Sequence, residues 1–273
     1  MQIRNITIDN NQPLTLIAGP CVIETYERTR TIARYLSALC AKLKLKLIFK
    51  ASYDKANRSS IHAKRGIGIH KGILVLERIK HEFKLPVITD VHNASEVEKA
   101  ASICDIIQVP AFLCRQTDLL VAAGNTGKPV NIKKGQFVAP EDIIQAVKKV
   151  YSTGNKQVLV TERGFCFGYN NLVVDMRALA IIKKLGIPVV FDATHSVQLP
   201  GGRGGHSGGQ RQFVETLARS AVAVGIAALF CEVHPHPCAA FSDGPNSLDF
   251  KHIEKMLKKI ILIDRLVKQN KFK

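Results

Sequence analysis

The chain has 273 residues, 46% of them hydrophobic, with 39 Lys and Arg against 22 Asp and Glu and a formal charge of +17 at pH 7. These proportions exclude a disordered or low-complexity chain. The most apolar stretch, residues 221–231, falls far short of the ~20 residues that span a bilayer.

Residues 1–11 carry no apolar signal-like region, which predicts an intracellular, cytoplasmic chain. Ile3, Ile6 and Ile8 among polar neighbours read as a small N-terminal cap strand. From there short apolar, often β-branched runs alternate with helix-like segments. Runs at 14–18, 45–50, 86–90 and 103–109 are followed by helical patterns at 28–43, 72–83, 94–101 and 117–124. Runs at 129–133, 158–161, 189–192 and 229–233 are followed by 140–151, 172–185, 210–224 and 248–267. A strand–helix unit repeated about eight times in 273 residues, close to the ~250 typical of the fold, predicts a (β/α)8 TIM barrel. An open doubly wound sheet is the alternative that periodicity alone leaves standing. No linker or compositional break divides the chain, so residues 1–273 read as one catalytic domain.

The strand ends carry the chemistry, because a β/α barrel works from the loops after its strands. In order they read Gly19-Pro-Cys21, Lys50-Ala-Ser52, Asp90-Val-His92, Gln108, Lys133-Lys134, Glu162-Arg163, Asp192-Ala-Thr-His195 and Glu232-Val-His234. Almost every strand thus delivers an ionisable or hydrogen-bonding group to one rim, which points to an enzyme. Closure of a barrel sets the eighth strand beside the first. Cys21, His195, Glu232 and Asp243 then become neighbours, and a thiolate, an imidazole and two carboxylates suit a divalent metal. Each has a plainer reading: a buried small hydrophobe, a loop histidine, a strand-end ion-pair partner and a turn former before Gly244-Pro245. The other cysteines do not decide the matter. The chain's seven cysteines, Cys21 included, are scattered and without a CxxC pair, which excludes a disulfide scaffold and a local zinc ribbon.

The segment Phe49-Lys-Ala-Ser-Tyr-Asp-Lys-Ala-Asn-Arg-Ser-Ser60 packs Lys50, Lys55, Arg58, Ser52, Asn57, Ser59 and Ser60 into one loop. Cations and hydroxyls of this kind bind phosphate and read sugar hydroxyls; the plainer reading is a solvated polar loop. Arg115, Lys133 and Arg163 add cations around the rim. The glycine-rich stretch 201–209 lacks the GK[ST] of a phosphate-binding loop and reads as an irregular, mobile lid. His234 and His236 read as non-ligands, because the prolines between and after them bend the chain. The basic helical pattern 248–267 reads as a barrel cover rather than a membrane helix. Aromatics are 6%, Trp is absent and basic residues spread along the whole chain, so small phosphorylated substrates are favoured over nucleic acid. A basic nucleic-acid binder remains the non-enzyme alternative, and it predicts steeply salt-dependent affinity.

Taken together, Gly19-Pro-Cys21, Phe49-Lys-Ala-Ser with Arg58-Ser-Ser60, Gln108-Val-Pro-Ala-Phe-Leu113, Asn131-Ile-Lys-Lys134, Glu162-Arg-Gly164, Asp192-Ala-Thr-His195 and Asp243-Gly-Pro-Asn246 resemble the 3-deoxy-D-manno-octulosonate 8-phosphate synthases. The resemblance runs from about residue 14 to 265 with the motifs in order. It implies a (β/α)8 barrel, a cytoplasmic homotetramer, and condensation of phosphoenolpyruvate with D-arabinose 5-phosphate for lipopolysaccharide biosynthesis. That family has a metal-independent branch with Asn where this chain has Cys21. With His195, Glu232 and Asp243 also retained, the chain resembles the branch that uses a divalent ion such as Zn, Fe or Mn.

By the same resemblance, phosphoenolpyruvate is held by Lys50, Ser52, Lys55, Lys133 and Arg163 with Gln108 nearby. Arabinose 5-phosphate is held by Asn57, Arg58, Ser59 and Asp90, with Arg115 reaching in from a neighbouring subunit. Lys50, His195, Glu232 and Asp243 carry the chemistry. Two enzyme alternatives stay open: a 3-deoxy-D-arabino-heptulosonate 7-phosphate synthase using erythrose 4-phosphate, and a Schiff-base aldolase using Lys50 or Lys133.

Overall fold

The computed structural model describes residues 1–58, 60–166, 169–203 and 206–269. Eight parallel strands close into a barrel. They are β1 (Thr15–Gly19), β2 (Lys46–Lys50), β3 (Val87–Asp90), β4 (Ile106–Val109), β5 (Val130–Lys133), β6 (Val158–Glu162), β7 (Val189–Asp192) and β8 (Ala228–Glu232). Between and after them run α1 (Tyr26–Leu43), α2 (Gly68–Phe83), α3 (Ala94–Ile103), α4 (Thr117–Asn125), α5 (Ile143–Tyr151), α6 (Met176–Lys184), α7 (Val214–Val224) and α8 (Phe250–Lys268). This is a (β/α)8 barrel, and the pairing of β8 with β1 through Glu232 and Gly19 rules out an open sheet.

The strands read as continuous apolar runs because both of their faces are covered. Every position of β1 is buried; Leu16 and Ala18 pack outward against the helices, while Ile17 points into the barrel. Inside, Ile17 meets Ile48, Ile88, Ile106, Leu159, Val190 and Phe230, and Ile3, Ile6 and Ile8 close the bottom. The helices end on local signals. Thr25 caps α1 by accepting the Arg28 N–H, and Lys44 ends it in the left-handed region at φ 54°. Asn93 and Asp249 cap α3 and α8 in the same manner as Thr25.

Several boundaries differ from expectation. The N-terminal cap is not one strand but a hairpin, Gln2–Ile3 paired with Ile6–Thr7, which turns through Arg4 at φ 51°. Ile103 ends α3 instead of opening β4. Leu172 and Val173 do not begin a helix; they pair as a strand with Phe165–Cys166, and α6 starts only after Asp175 caps it. A 3-10 turn, Arg211–Phe213, precedes α7. The glycine-rich stretch is not an irregular loop either: Gln198–Arg203 and His206–Gly209 pair as an antiparallel hairpin. Glycines misled that reading, since their freedom serves bulged strands as well as loops.

Candidate active site

At the C-terminal rim β1, β7, β8 and the turn beyond β8 bring Cys21, His195, Glu232 and Asp243 together. Each offers one ligand atom, and these atoms all lie within 4.8 Å of one another. β1 can run close enough to β2 because Gly19 has no side chain; a Cβ there would stand 1.9 Å from the Lys50 carbonyl oxygen. Two residues on, the Cys21 thiol donates to Asp243 Oδ2 at 3.0 Å. His195 opens a 3-10 turn after β7. Its Nε2 lies 3.3 Å from Glu232 Oε1 and 3.8 Å from Asp243 Oδ2. Its Nδ1 faces Asp192 Oδ2 at 2.6 Å, so the carboxylate that ends β7 sets the direction of the ring.

This donor set fits a divalent ion. Metal bonds of about 2.0–2.3 Å place the ligands of one ion within the spacing seen here. Sulfur, imidazole and two carboxylates together match a transition metal rather than magnesium. The Glu232 carboxylate is fully buried, yet its Oε2 has no hydrogen-bond partner, a state that a cation would relieve. Burial, then the charge of Glu232, raise the Cys21 thiol well above its ordinary range. Without a cation the sulfur therefore stays protonated, whereas a bound ion deprotonates a ligating thiol.

Above the cluster lies a cavity of about 340 Å³. Lys50, Lys55, Asn57 and Arg58 form one wall, from the end of β2 and its loop. Asp90, Gln108, Lys133 and Arg163 come from β3 to β6, and His195 and Asp243 reach it from the four-residue cluster. Lys50 Nζ stands between the Cys21 carbonyl oxygen at 3.2 Å and Glu232 Oε1 at 3.4 Å. Ser52 does not line the cavity; it is buried behind Asp90 and donates to its Oδ2 at 2.7 Å. Arg115 does not join at all. Its side chain is exposed, and its carbonyl oxygen accepts from Lys149. Ser59 lies outside the described residues.

The buried cations are balanced by acids within the wall. Burial pushes Lys133 and Arg163 below their ordinary values, while Asp192 pulls back on both. Burial works the same way on Lys55, but the carboxylates of Asp90, Glu232 and Asp243 oppose it and the ammonium is held above its ordinary range. A polar ladder crosses the barrel interior beneath the cavity. Gln108 Nε2 donates to Asp90 Oδ1 at 2.6 Å, Asn131 Nδ2 to Gln108 Oε1 at 2.8 Å, and Thr161 Oγ1 to Asn131 Oδ1 at 2.7 Å. Every rung is satisfied, so the ladder holds its members rigidly.

Sequence reasoning gives no site role to three residues here, although two of them, Asp192 and His92, stand among the strand-end groups. Asp192 meets both Lys133 and His195; the available signal was a carboxylate closing a strand three residues before a histidine. His92 lines the cavity edge-on to Tyr53 and had been read only as a strand end. Gln198 also lines it and carries no sequence signature.

A closed parallel barrel whose C-terminal rim sets a thiol, an imidazole and two acids under a cation-lined cavity defines a (β/α)8 enzyme. The chain belongs to the DAHP synthetase I family, whose model matches residues 1–269. It is 56% identical over 270 residues to a 2-dehydro-3-deoxyphosphooctonate aldolase of Syntrophotalea carbinolica, covering 99% of this chain and 98% of the relative. Proteins of the same name from Geobacter sulfurreducens and Desulfotalea psychrophila are 54% and 52% identical, each over 97% of this chain and over 98% and 95% of the relatives.

Proposed function

We propose that the chain condenses phosphoenolpyruvate with D-arabinose 5-phosphate and water, releasing 3-deoxy-D-manno-octulosonate 8-phosphate and inorganic phosphate for lipopolysaccharide biosynthesis. The observation that carries this reading is one cavity walled by Lys50, Lys55, Arg58, Lys133 and Arg163 directly above the Cys21–His195–Glu232–Asp243 cluster. Two phosphorylated substrates repel each other, and cations fixed in the cavity wall offset that repulsion without reorganising at the moment of reaction.

Lys133 and Arg163 sit together at the β5–β6 side and take phosphoenolpyruvate, with Lys50 and Lys55 beside them. Asn57 and Arg58, on the loop after β2, take the sugar phosphate, and Asp90 orients its hydroxyls. The enolpyruvate C3 attacks the aldehyde carbon, water adds at C2, and the hemiketal phosphate expels phosphate. Cys21, His195, Glu232 and Asp243 would hold a divalent ion (Zn, Fe or Mn) that supplies Lewis acidity toward the aldehyde or the water. Glu232 takes the proton that the water loses, and Asp243 and His195 pass it to the oxygen of the attacked aldehyde. Lys50, with its Nζ 3.4 Å from Glu232 Oε1, holds that carboxylate in place.

We read residues 1–273 as one cytoplasmic catalytic domain acting as a homotetramer. In that assembly the exposed Arg115 of each copy completes the sugar-phosphate site of a neighbour. Among the described residues no helix is long and apolar enough to cross a membrane. The deciding experiment is phosphate release from phosphoenolpyruvate with arabinose 5-phosphate or erythrose 4-phosphate, with and without a chelator. Release with the five-carbon sugar alone, lost on chelation, is expected. Preference for erythrose 4-phosphate would overturn the substrate, and chelator-resistant turnover would overturn the metal.

A further inference from the structure

We propose that Gln198 is a positioning residue that ties the anion-binding half of the cavity to its metal-ligand half; this rests on the metal and substrate reading given above. Gln198 is half-buried in the cavity wall at the start of the hairpin that follows β7. Its Oε1 accepts from Arg163 Nη2 at 2.8 Å. Its Nε2 donates to Asp243 Oδ1 at 2.6 Å.

A guanidinium only donates and an ionised carboxylate only accepts. A side chain that joins the two must therefore carry an acceptor at one end and a donor at the other. The primary amide does this with no charge of its own, and only one orientation of it satisfies both partners. A direct ion pair between Arg163 and Asp243 would consume the donors that an incoming anion needs and turn the carboxylate away from the cluster. With the amide between them, Asp243 gives Oδ1 to Gln198. It keeps Oδ2 for the Cys21 thiol and the Ser242 hydroxyl, each at 3.0 Å. Arg163 meanwhile spends only Nη2, shared with the His195 carbonyl oxygen at 3.2 Å.

The backbone supports the same junction independently. Gln198 pairs with Gly209 across the hairpin, and a Cβ on Gly209 would collide with Asn246 Oδ1 at 1.4 Å. The hairpin stem is thus seated on the turn in which the Asn246 N–H donates to the Asp243 carbonyl oxygen. Both the backbone and the amide of this short segment hold Asp243 in register with the Arg163 side of the cavity.

The test uses the full-length protein and Gln198→Met, which keeps the bulk and removes both hydrogen-bonding ends; Gln198→Leu serves if the methionine variant does not accumulate. Cobalt(II) is the probe, its dissociation constant read by competition with a chromogenic chelator and its sulfur-to-metal charge-transfer absorption. KM for phosphoenolpyruvate and kcat are read on the same preparations. Loss of two hydrogen bonds to charged groups raises both the cobalt constant and KM by roughly tenfold each. If cobalt binds the parent but either constant stays put in the variant, the bridge is overturned while the metal reading stands. A parent that takes up no cobalt overturns the metal reading, and the bridge with it.

Discussion

Asp192 Oδ2 lies 2.6 Å from His195 Nδ1, and the same carboxylate meets the Lys133 ammonium. One buried acid at the end of β7 therefore orients an imidazole of the candidate metal cluster and a cation of the cavity above it together. Asp192→Asn keeps the shape but loses the charge, so His195 is no longer held in one tautomer and Lys133 loses its counterion. Such a change behind a ligating histidine lowers metal affinity by about 10–100-fold. Chelator competition should show that drop with the far-ultraviolet circular dichroism unchanged; undiminished metal retention would remove Asp192 from this role.

Cys21 supplies the only sulfur of the cluster. Cys21→Ala removes one of four donors and the thiol that bridges to Asp243, while taking almost no volume from the core. The expected outcome is a folded protein that no longer retains an ion through gel filtration and no longer releases phosphate from phosphoenolpyruvate. If metal-stripped Cys21→Ala turned over at the parental rate, the metal assignment would fall.

Lys134 and Glu162 form a second buried pair, Nζ to Oε2 at 3.4 Å with both side chains inaccessible. Lys134 also donates to the Gly135 and Val138 carbonyl oxygens, and Glu162 accepts the Arg163 and Gly164 N–H groups. The pair braces the two loops that carry Lys133 and Arg163. Lys134→Met strands a buried carboxylate, which costs about 3–5 kcal/mol. The urea midpoint should fall accordingly and KM for phosphoenolpyruvate should rise. Adding Glu162→Gln recovers part of the stability, since the uncompensated charge is then gone. Equal midpoints for the single and double variants would refute the pairing energy.

What the sequence disclosed follows the reach of its physical signals. Strands buried on both faces print themselves as apolar runs, so β7 lies where expected and the other barrel strands start or end within a few residues of expectation. Gathering of Cys21 with Glu232 needed only the rule that the last strand closes on the first. The neighbours Lys133 and Lys134 were not separable by residue type: the pleat sends one to the cavity and the other into a buried pair behind it. Gln198 acts through side chains brought together from distant turns, and no local spacing announces it; Asp192 stands three residues before His195, but its contact with Lys133 comes from another strand. The hairpin at Gln198–Arg203 was hidden by glycines, whose missing side chains erase the alternation that marks a strand.

Asp90 gives the protein an acid limb that can be measured. Burial alone would raise its carboxyl, but Lys50, Lys55, His92 and Lys133 together hold it far below the ordinary value of 3.8. Ser52 and Gln108 donate to it as well, at 2.7 and 2.6 Å. A carboxyl depressed in the folded state binds fewer protons there than in the unfolded chain. Its stabilisation is therefore complete above pH 3.8 and is lost as pH falls below that value toward the depressed one. Urea midpoints recorded across this range should decline for the parent. Asp90→Asn, which carries no titrating group, should start lower at neutral pH and decline less steeply. Part of the slope persists, because Asp192 and Asp243 are depressed too. Parallel limbs for parent and variant would mean that the surrounding ammonium groups do not stabilise Asp90 in its ionised form.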